Sequence, residues 1–214
     1  MGEPAAGLIE LFAVRAETLA AAADNDPATV DLWLGFGEAF INIIRQFDNL
    51  LITKGIAEIR NNLDKIDEVF YIKGTKTRKE NMSKVSMKLM VAFEANAAKN
   101  SGAPHGGFKE KSLSLPLLWL VRTFEAVALG FTLIAEKEMV PLKEVYEKTL
   151  GPHHNAVMRI AVESFFNYTI SREEVSKKTS EMRLEMFKRA SAAVTRAIGP
   201  IGANLEGRAG VLNL

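Results

Sequence analysis

LSLPLLWLVRTFEAVALGFTLIA, residues 113–135, is the most apolar stretch of the sequence and decides its fold class. It is long enough to suggest a membrane span. Arg122 and Glu125 lie near its centre, however, where a charged side chain costs about 3 kcal/mol on membrane-insertion scales. Pro116 also lies inside it. The stretch therefore predicts a long helix buried in a protein core rather than a membrane span.

Helical spacing continues on both sides of this segment, and no segment alternates convincingly with the period of two that is typical of strands. One apolar stripe predicts an N-terminal helix within about residues 1–25 and consists of Leu8, Leu11, Phe12 and Leu19. We therefore expect an all-α fold of about eight helices, in a single domain that spans residues 1–214.

Several helix boundaries carry local signals. Asp26-Pro27 is a typical N-cap and first helical position, and it predicts the start of the second helix. Ser171 with Glu174 forms a capping box that predicts the start of the last long helix. Gly199-Pro200 predicts the end of that helix. Residues 200–214 are rich in glycine and show little periodicity, so we expect an irregular C-terminal tail.

Composition excludes several classes of function. The sequence contains no cysteine, which excludes a disulfide scaffold, thiolate metal sites and thiol catalysis, and which fits a reducing compartment. Its net charge is only +1, so no overall field favours nucleic acid. Glu3, Glu10 and Arg15 interrupt the N-terminal apolar residues, so we expect no signal peptide and a cytoplasmic location.

One local cluster of positive charge consists of Lys73, Lys76, Arg78, Lys79, Lys84 and Lys88. Two interpretations remain open for it: a solvated face, or a surface with weak attraction to anionic lipid headgroups.

No enzyme motif is found. The sequence has no Glu-x-x-His or His-x-x-x-His pair for metal, no glycine-rich phosphate loop and no Gly-x-Ser-x-Gly elbow. We therefore predict no catalytic residue, no metal, no cofactor and no enzymatic activity.

Polar residues on two helices are candidates for a binding site. Glu58, Asn62 and Lys65 are spaced i, i+4 and i+7 and share one helix face, which is either a solvated face or part of a site. Trp119 and Arg122 are spaced i, i+3 on the apolar helix, where a tryptophan is either core or ligand-facing.

His153-His154 follow Pro152 and are predicted to lie in the first turn of a helix. There they either cap the helix or face solvent, or they serve a ligand. The positive end of the helix dipole would favour a neutral imidazole, which can donate one hydrogen bond to a carbonyl.

Taken in order, these pieces resemble the glycolipid transfer protein family over roughly residues 30–170. The segments that carry the resemblance are FGEAFINIIRQFDNL (36–50), IAEIRNNLDKI (56–66), LLWLVRTFEAV (117–127) and PHHNAVMRIAV (152–162). The resemblance implies a two-layer helical sandwich with a lipid cavity between the layers.

In that family an Asp-x-x-x-Asn-x-x-Lys stretch, a later Trp and a His near a helix start meet at the lipid headgroup. The resemblance implies a headgroup site formed by Glu58, Asn62, Lys65, Trp119 and Arg122. It also implies that Glu58 accepts the ceramide amide N–H and that His154 donates to the acyl carbonyl. An indole can stack on a sugar ring, and an asparagine amide can donate to and accept from hydroxyls.

Two positions depart from the family pattern. Glu58 stands where the family usually has Asp, and its side chain is one methylene longer. Ala156 stands where the family often has a Trp at the membrane-docking edge. Trp33 or the Phe70-Tyr71-Ile72 cluster would substitute for that anchor if exposed, and core burial is the alternative for each.

We therefore predict a monomeric carrier that moves glycosphingolipid, such as glycosylceramide, between membranes through transient surface contact. The first alternative is a ceramide-1-phosphate carrier, a branch that tends to have Lys at the position of Asn62 and Arg at that of Trp119. A lipid sensor that uses the same pocket is a second alternative, and a helical interaction module with a filled core is a third.

Overall fold

In the computed structural model, the described residues are 7–24, 29–47, 50–69, 86–100, 112–163, 168–180 and 183–212. Within these ranges the chain forms nine α-helices, which are α1 (Leu8–Asp24), α2 (Val30–Ile44), α3 (Leu50–Glu68), α4 (Met87–Asn100), α5 (Ser114–Glu136), α6 (Leu142–Lys148), α7 (Ala156–Glu163), α8 (Arg172–Thr179) and α9 (Leu184–Leu212). Two three-residue strands, β1 (Met139–Pro141) and β2 (Thr169–Ser171), and a 3-10 turn, Gly151–His153, complete the described elements. The prediction of an all-α fold is confirmed.

Some predictions fall outside the described residues. These are the Phe70-Tyr71-Ile72 cluster and the basic cluster from Lys73 to Lys84. The predicted start of the second helix at Asp26-Pro27 is wrong, because α2 begins at Val30, directly after Thr29, whose backbone is extended.

The predicted core helix is α5, which packs against α9, α3 and α6. Among the described helices it alone is long and apolar enough to cross a membrane. Most of its large apolar side chains are buried, and so is the charged Arg122. The apolar length of α5 is therefore explained by its central place in the core.

A carboxylate from α4 fixes the start of α5. Glu94 accepts hydrogen bonds from the backbone N–H groups of Leu113 and Ser114, at 2.8 and 3.0 Å, and from the Ser114 hydroxyl at 2.6 Å. The first N–H groups of a helix have no partner within it, and its positive dipole end favours a negative charge. This contact therefore fixes the end of α5 that precedes Trp119.

Aromatic rings fill the space where α1, α2 and α5 meet. Phe12 stacks on Phe36 with 5.0 Å between ring centroids, and Phe36 lies 4.4 Å from Phe124. Phe40 and Phe131 extend the same cluster. Side chains therefore occupy this part of the interior, and lipid chains could enter it only if these rings moved apart.

The prediction for the C-terminal region is wrong in two respects. The Ser171 hydroxyl does cap a helix by accepting from the Glu174 N–H at 3.0 Å, but that helix is the short α8. The last long helix is α9, and it continues through Gly199-Pro200 to Leu212 instead of ending there. Residues 200–212 are thus helical, not an irregular tail.

Close packing against α5 explains the glycine at position 202 of α9. A Cβ atom added at Gly202 would lie 3.0 Å from Cγ1 of Val121, so a larger residue would push the two helices apart. The same residue type that signals a helix end in sequence here allows close helix contact.

A short ribbon was not predicted. β1 and β2 pair antiparallel, with Val140 opposite Ile170, and they directly precede α6 and α8. Three residues are too few for an alternating pattern to be recognised. The ribbon holds the start of α6, the helix that carries Tyr146, next to the start of α8.

Candidate functional site

Two of the predicted site residues lie together on α5. Trp119 is half-buried, whereas Arg122 is only 1% exposed. The guanidinium carbon of Arg122 lies 5.0 Å from the centre of the indole ring, within cation–π distance. Trp119 and Arg122, which are spaced i, i+3, therefore lie on the same face of α5.

The positive charge of Arg122 is paired with a carboxylate from α9. Arg122 Nε and Nη2 donate to the two carboxylate oxygens of Glu206, at 2.6 and 3.0 Å. A fork-to-carboxylate pair of this kind is stronger than a neutral hydrogen bond. Glu206 lies in the segment predicted to be an irregular tail, and it reaches the site because α9 is helical there.

A second acid, Glu125, lies one turn beyond Arg122 on α5. Burial and the negative charge of Glu206 raise the pKa of its carboxyl group, and the positive charge of Arg122 opposes that shift. The two acids and the buried cation form a cluster in which the charge of Arg122 is neutralised.

His154 belongs to the same group of side chains. Its ring centre lies 5.3 Å from that of Trp119 and 5.5 Å from that of Tyr146. The Tyr146 hydroxyl lies 2.8 Å from His154 Nδ1. The structure therefore brings Trp119, Arg122 and His154 together, with Tyr146 and Glu206 beside them.

The local backbone differs from the predicted helix turn. His153 ends a 3-10 turn, Gly151–His153, and His154 follows it in an extended conformation before α7 begins. Burial is the main cause that lowers the pKa of His154, and positive charge on His153, Arg122 and Arg159 lowers it further. The imidazole is therefore neutral at neutral pH, for these reasons rather than because of a helix dipole.

The three predicted residues on α3 form a separate group. Asn62 is 4% exposed, and its Nδ2 donates to the exposed Glu58 at 3.4 Å; Lys65 is half-buried. The neighbouring Arg60 is paired with Glu38 on α2.

Contact between α3 and α5 places this group beside the helix that carries Trp119. Among the described residues, no hydrogen bond or ion pair joins Glu58, Asn62 or Lys65 to His154 or Trp119. The α3 group and the His154 group are thus two polar clusters on packed elements.

A concavity of about 410 Å³ is lined by two residues that bond His154, Tyr146 and Arg159, and by Lys143, Glu147, Gly151, Pro152 and Ile160. It adjoins α7, whose exposed side chains include Val157 and Ile160. The helix that follows His154 therefore presents exposed apolar side chains.

Sequence reasoning missed Tyr146 and Glu206. Tyr146 lies on a separate short helix, and Glu206 is 84 positions from Arg122 along the chain. Neither contact follows from local spacing, because each depends on how helices pack.

The helical fold therefore brings together a tryptophan, a neutral histidine and a buried arginine that is paired with a carboxylate. The sequence profile described as Glycolipid transfer protein matches residues 30–181. This chain belongs to the glycolipid transfer protein family, whose members are lipid carriers.

Solved structures share the fold at low sequence identity. Mouse ceramide-1-phosphate transfer protein in its apo form is 15% identical, with a TM-score of 0.74 over 96% of this chain and 98% of that one. A point mutant of Arabidopsis ACD11 (accelerated-cell-death 11), complexed with C12 ceramide-1-phosphate, is 14% identical, with a TM-score of 0.68 over 96% of each chain. FAPP2, in a structure described as showing how it selects simple glycosphingolipids using the GLTP-fold, is 17% identical, with a TM-score of 0.63 over 87% of each chain. No curated protein sequence matches this chain.

Proposed function

We propose that this protein binds one sphingolipid, preferentially a glycosylceramide, and carries it between membranes without covalent chemistry. The observation that carries the proposal is the contact of Trp119 with His154 and with a buried Arg122 whose charge Glu206 neutralises. The family supports a sphingolipid as ligand.

Each site residue has a proposed role. Trp119 offers an indole surface to a sugar, with Arg122 supporting the ring. Asn62 and Lys65 provide hydrogen-bond donors for sugar hydroxyls, and Glu58 extends the same polar surface. Glu58 also accepts the ceramide amide N–H.

His154 completes the amide contact by donating to the acyl carbonyl. An amide presents its N–H and C=O in opposite directions, so its two partners must flank it. Among the described residues no hydrogen bond joins Glu58 to His154, so neither side chain is occupied by the other.

Charge favours a neutral headgroup over a phosphate. A phosphate is best bound by arginine or lysine that offers its charge to it. In this site the charge of the buried Arg122 is already paired with the Glu206 carboxylate. The alternative ligand is ceramide-1-phosphate, the ligand named for the human ceramide-1-phosphate transfer protein structure and for Arabidopsis ACD11.

The lipid chains require the helical layers to open. Each methylene kept from water is worth about 0.8 kcal/mol, so an exposed chain of ~14 carbons would cost roughly 11 kcal/mol in transit. The aromatic rings that fill the interior at Phe36 and Phe124 must separate to admit a chain. We propose that lipid entry provides the free energy for that separation.

A direct test combines native mass spectrometry with a transfer assay. The purified protein is mixed with vesicles that contain equal amounts of glucosylceramide, ceramide-1-phosphate and phosphatidylcholine. We expect one bound glucosylceramide per protein and its preferential transfer to acceptor vesicles. Preferential binding of ceramide-1-phosphate would show that the site binds a phosphate headgroup and not a sugar. Failure to bind either sphingolipid would refute the proposed function.

We further propose that α7 touches the membrane in place of the anchor missing at Ala156. Val157, Met158 and Ile160 are 77%, 48% and 69% exposed, and Arg159 between them is also exposed. Apolar side chains flanked by a cation suit the interface between headgroups and acyl chains. Trp33 cannot serve this purpose because it is completely buried.

Replacing Val157 and Ile160 together with serine should weaken vesicle binding by about tenfold or more, because burying each apolar side chain contributes on the order of 1–2 kcal/mol. The measurement is vesicle co-sedimentation together with the transfer rate. Phe93→Ser is the matched control, since Phe93 is 69% exposed on α4. Equal loss in the control and the double variant would contradict a specific role for α7.

A further inference from the structure

Tyr146 holds His154 through one hydrogen bond. The phenol oxygen lies 2.8 Å from Nδ1, and the two rings are 5.5 Å apart and tilted by 46°. Tyr146 is buried on α6, while His154 follows the 3-10 turn that leads to α7. The bond therefore joins two separate elements at the side chain that faces Trp119.

A glycine allows the tyrosine and the turn to approach this closely. A Cβ atom added at Gly151 would lie 3.1 Å from both Cε1 and the carbonyl oxygen of Tyr146. A larger residue at position 151 would force the Tyr146 ring or the turn to shift. The turn that presents His154 is thus packed directly on the tyrosine ring.

The chemistry of the two groups sets the direction of the bond. A neutral imidazole carries its proton on one ring nitrogen and accepts at the other. A phenol is a good donor, and the lone pair of an unprotonated imidazole nitrogen is a strong acceptor. When the Tyr146 O–H donates to Nδ1, the imidazole proton must be on Nε2.

We propose that Tyr146 is a positioning residue that fixes His154 in the Nε2–H tautomer, so that Nε2 is a hydrogen-bond donor for a ligand carbonyl. The ligand half of this inference rests on the proposed function, whereas the tautomer is a property of the protein alone.

Electrostatics around the pair agree with this assignment. Burial raises the pKa of the Tyr146 hydroxyl, which keeps its proton in place as a donor. Burial and neighbouring cations lower the pKa of His154, which keeps the imidazole neutral and able to accept at Nδ1. The Arg159 guanidinium donates its Nε–H to the His154 backbone carbonyl at 3.0 Å, so it holds the residue without occupying the ring.

Nitrogen-15 NMR of the lipid-free protein tests the tautomer. The sequence has only three histidines, so variants of His105 and His153 assign the His154 signals. We expect the pattern of a protonated Nε2 and an unprotonated Nδ1 in the wild type, and a shift towards the other tautomer or a mixture in Tyr146→Phe. Tyr168→Phe is the matched control, because the Tyr168 hydroxyl bonds Glu174 and not a histidine. A protonated Nδ1 in the wild type, or an unchanged pattern in Tyr146→Phe, would overturn the inference.

A lipid transfer assay tests whether the Nε2–H of His154 serves a ligand. Tyr146→Phe should lower glucosylceramide transfer by about fivefold, as expected for the loss of one hydrogen bond. In a His154→Gln background, where an amide N–H replaces the Nε2–H, the same change should have no further effect. An equal loss in both backgrounds would overturn the positioning role and point to packing. If the wild type transfers no sphingolipid, the proposed function fails while the NMR result still decides the tautomer.

Discussion

Replacing Trp119 with alanine is expected to reduce glycolipid transfer at least about 30-fold, because removing an aromatic anchor of a binding site costs about 2 kcal/mol or more. Trp119 is half-buried and touches the ring of His154 and the guanidinium of Arg122. Its loss removes the surface proposed for the sugar. It also removes the support that keeps Arg122 and His154 beside each other.

The matched control is the other tryptophan of the chain. Trp33 is 0% exposed on α2 and packs edge-on against Phe36, so Trp33→Ala should destabilise the fold by about 3–5 kcal/mol. Trp119→Ala should retain helicity and melt close to the wild type. Circular dichroism melts measured beside transfer rates separate the two effects. If Trp119→Ala unfolds as readily as Trp33→Ala, then Trp119 is a structural residue.

Much of the fold could be predicted because it depends on local pattern. The apolar run with a central charged pair correctly predicted α5 as a buried helix, and the Ser171 hydroxyl does cap a helix, although that helix is α8 and not the last long one. The prediction that the last long helix ends at Gly199-Pro200 was wrong, because glycine followed by proline is typical of a helix end. The helix continues because it packs against α5, where the glycine at position 202 lets α9 lie against Val121. This contact joins residues that are far apart in sequence, so a local pattern could not predict it.

The part of the candidate site that lies on a single helix could be predicted from the sequence. The i, i+3 spacing of Trp119 and Arg122 placed both residues on one face of α5, and the structure agrees. The partners that set their electrostatic environment come from elsewhere, Glu206 from α9 and Tyr146 from α6. A side chain's exposure and charge partner depend on tertiary packing, so sequence spacing alone could not reveal that Arg122 is neutralised.

Replacing Glu206 with alanine is expected to lower the free energy of unfolding by about 3 kcal/mol, because removing one partner of a buried ion pair leaves an uncompensated charge. Arg122 has a side chain that is 1% exposed, so water cannot replace the lost carboxylate around the whole guanidinium. Glu206 itself is 31% exposed, so some water enters from its side, and the effect should lie at the lower end of the range for buried pairs. For a chain of this size, such a loss lowers the melting temperature by roughly 10 °C.

The size of the effect should depend on Arg122 being present. In an Arg122→Leu background, the change Glu206→Leu should cost little or stabilise the protein, since apolar replacement of both members of a buried pair is often neutral or favourable. Glu185→Ala is the matched control on α9, because Glu185 is 81% exposed and pairs with Lys188 near the surface, where such pairs contribute about 0–1 kcal/mol. Urea unfolding is measured for the wild type, Arg122→Leu, Glu206→Leu and the double variant. The four free energies of unfolding give the coupling energy between positions 122 and 206. A coupling close to zero would mean that the carboxylate of Glu206 does not compensate Arg122, and the case for a neutral headgroup site would lose its electrostatic basis.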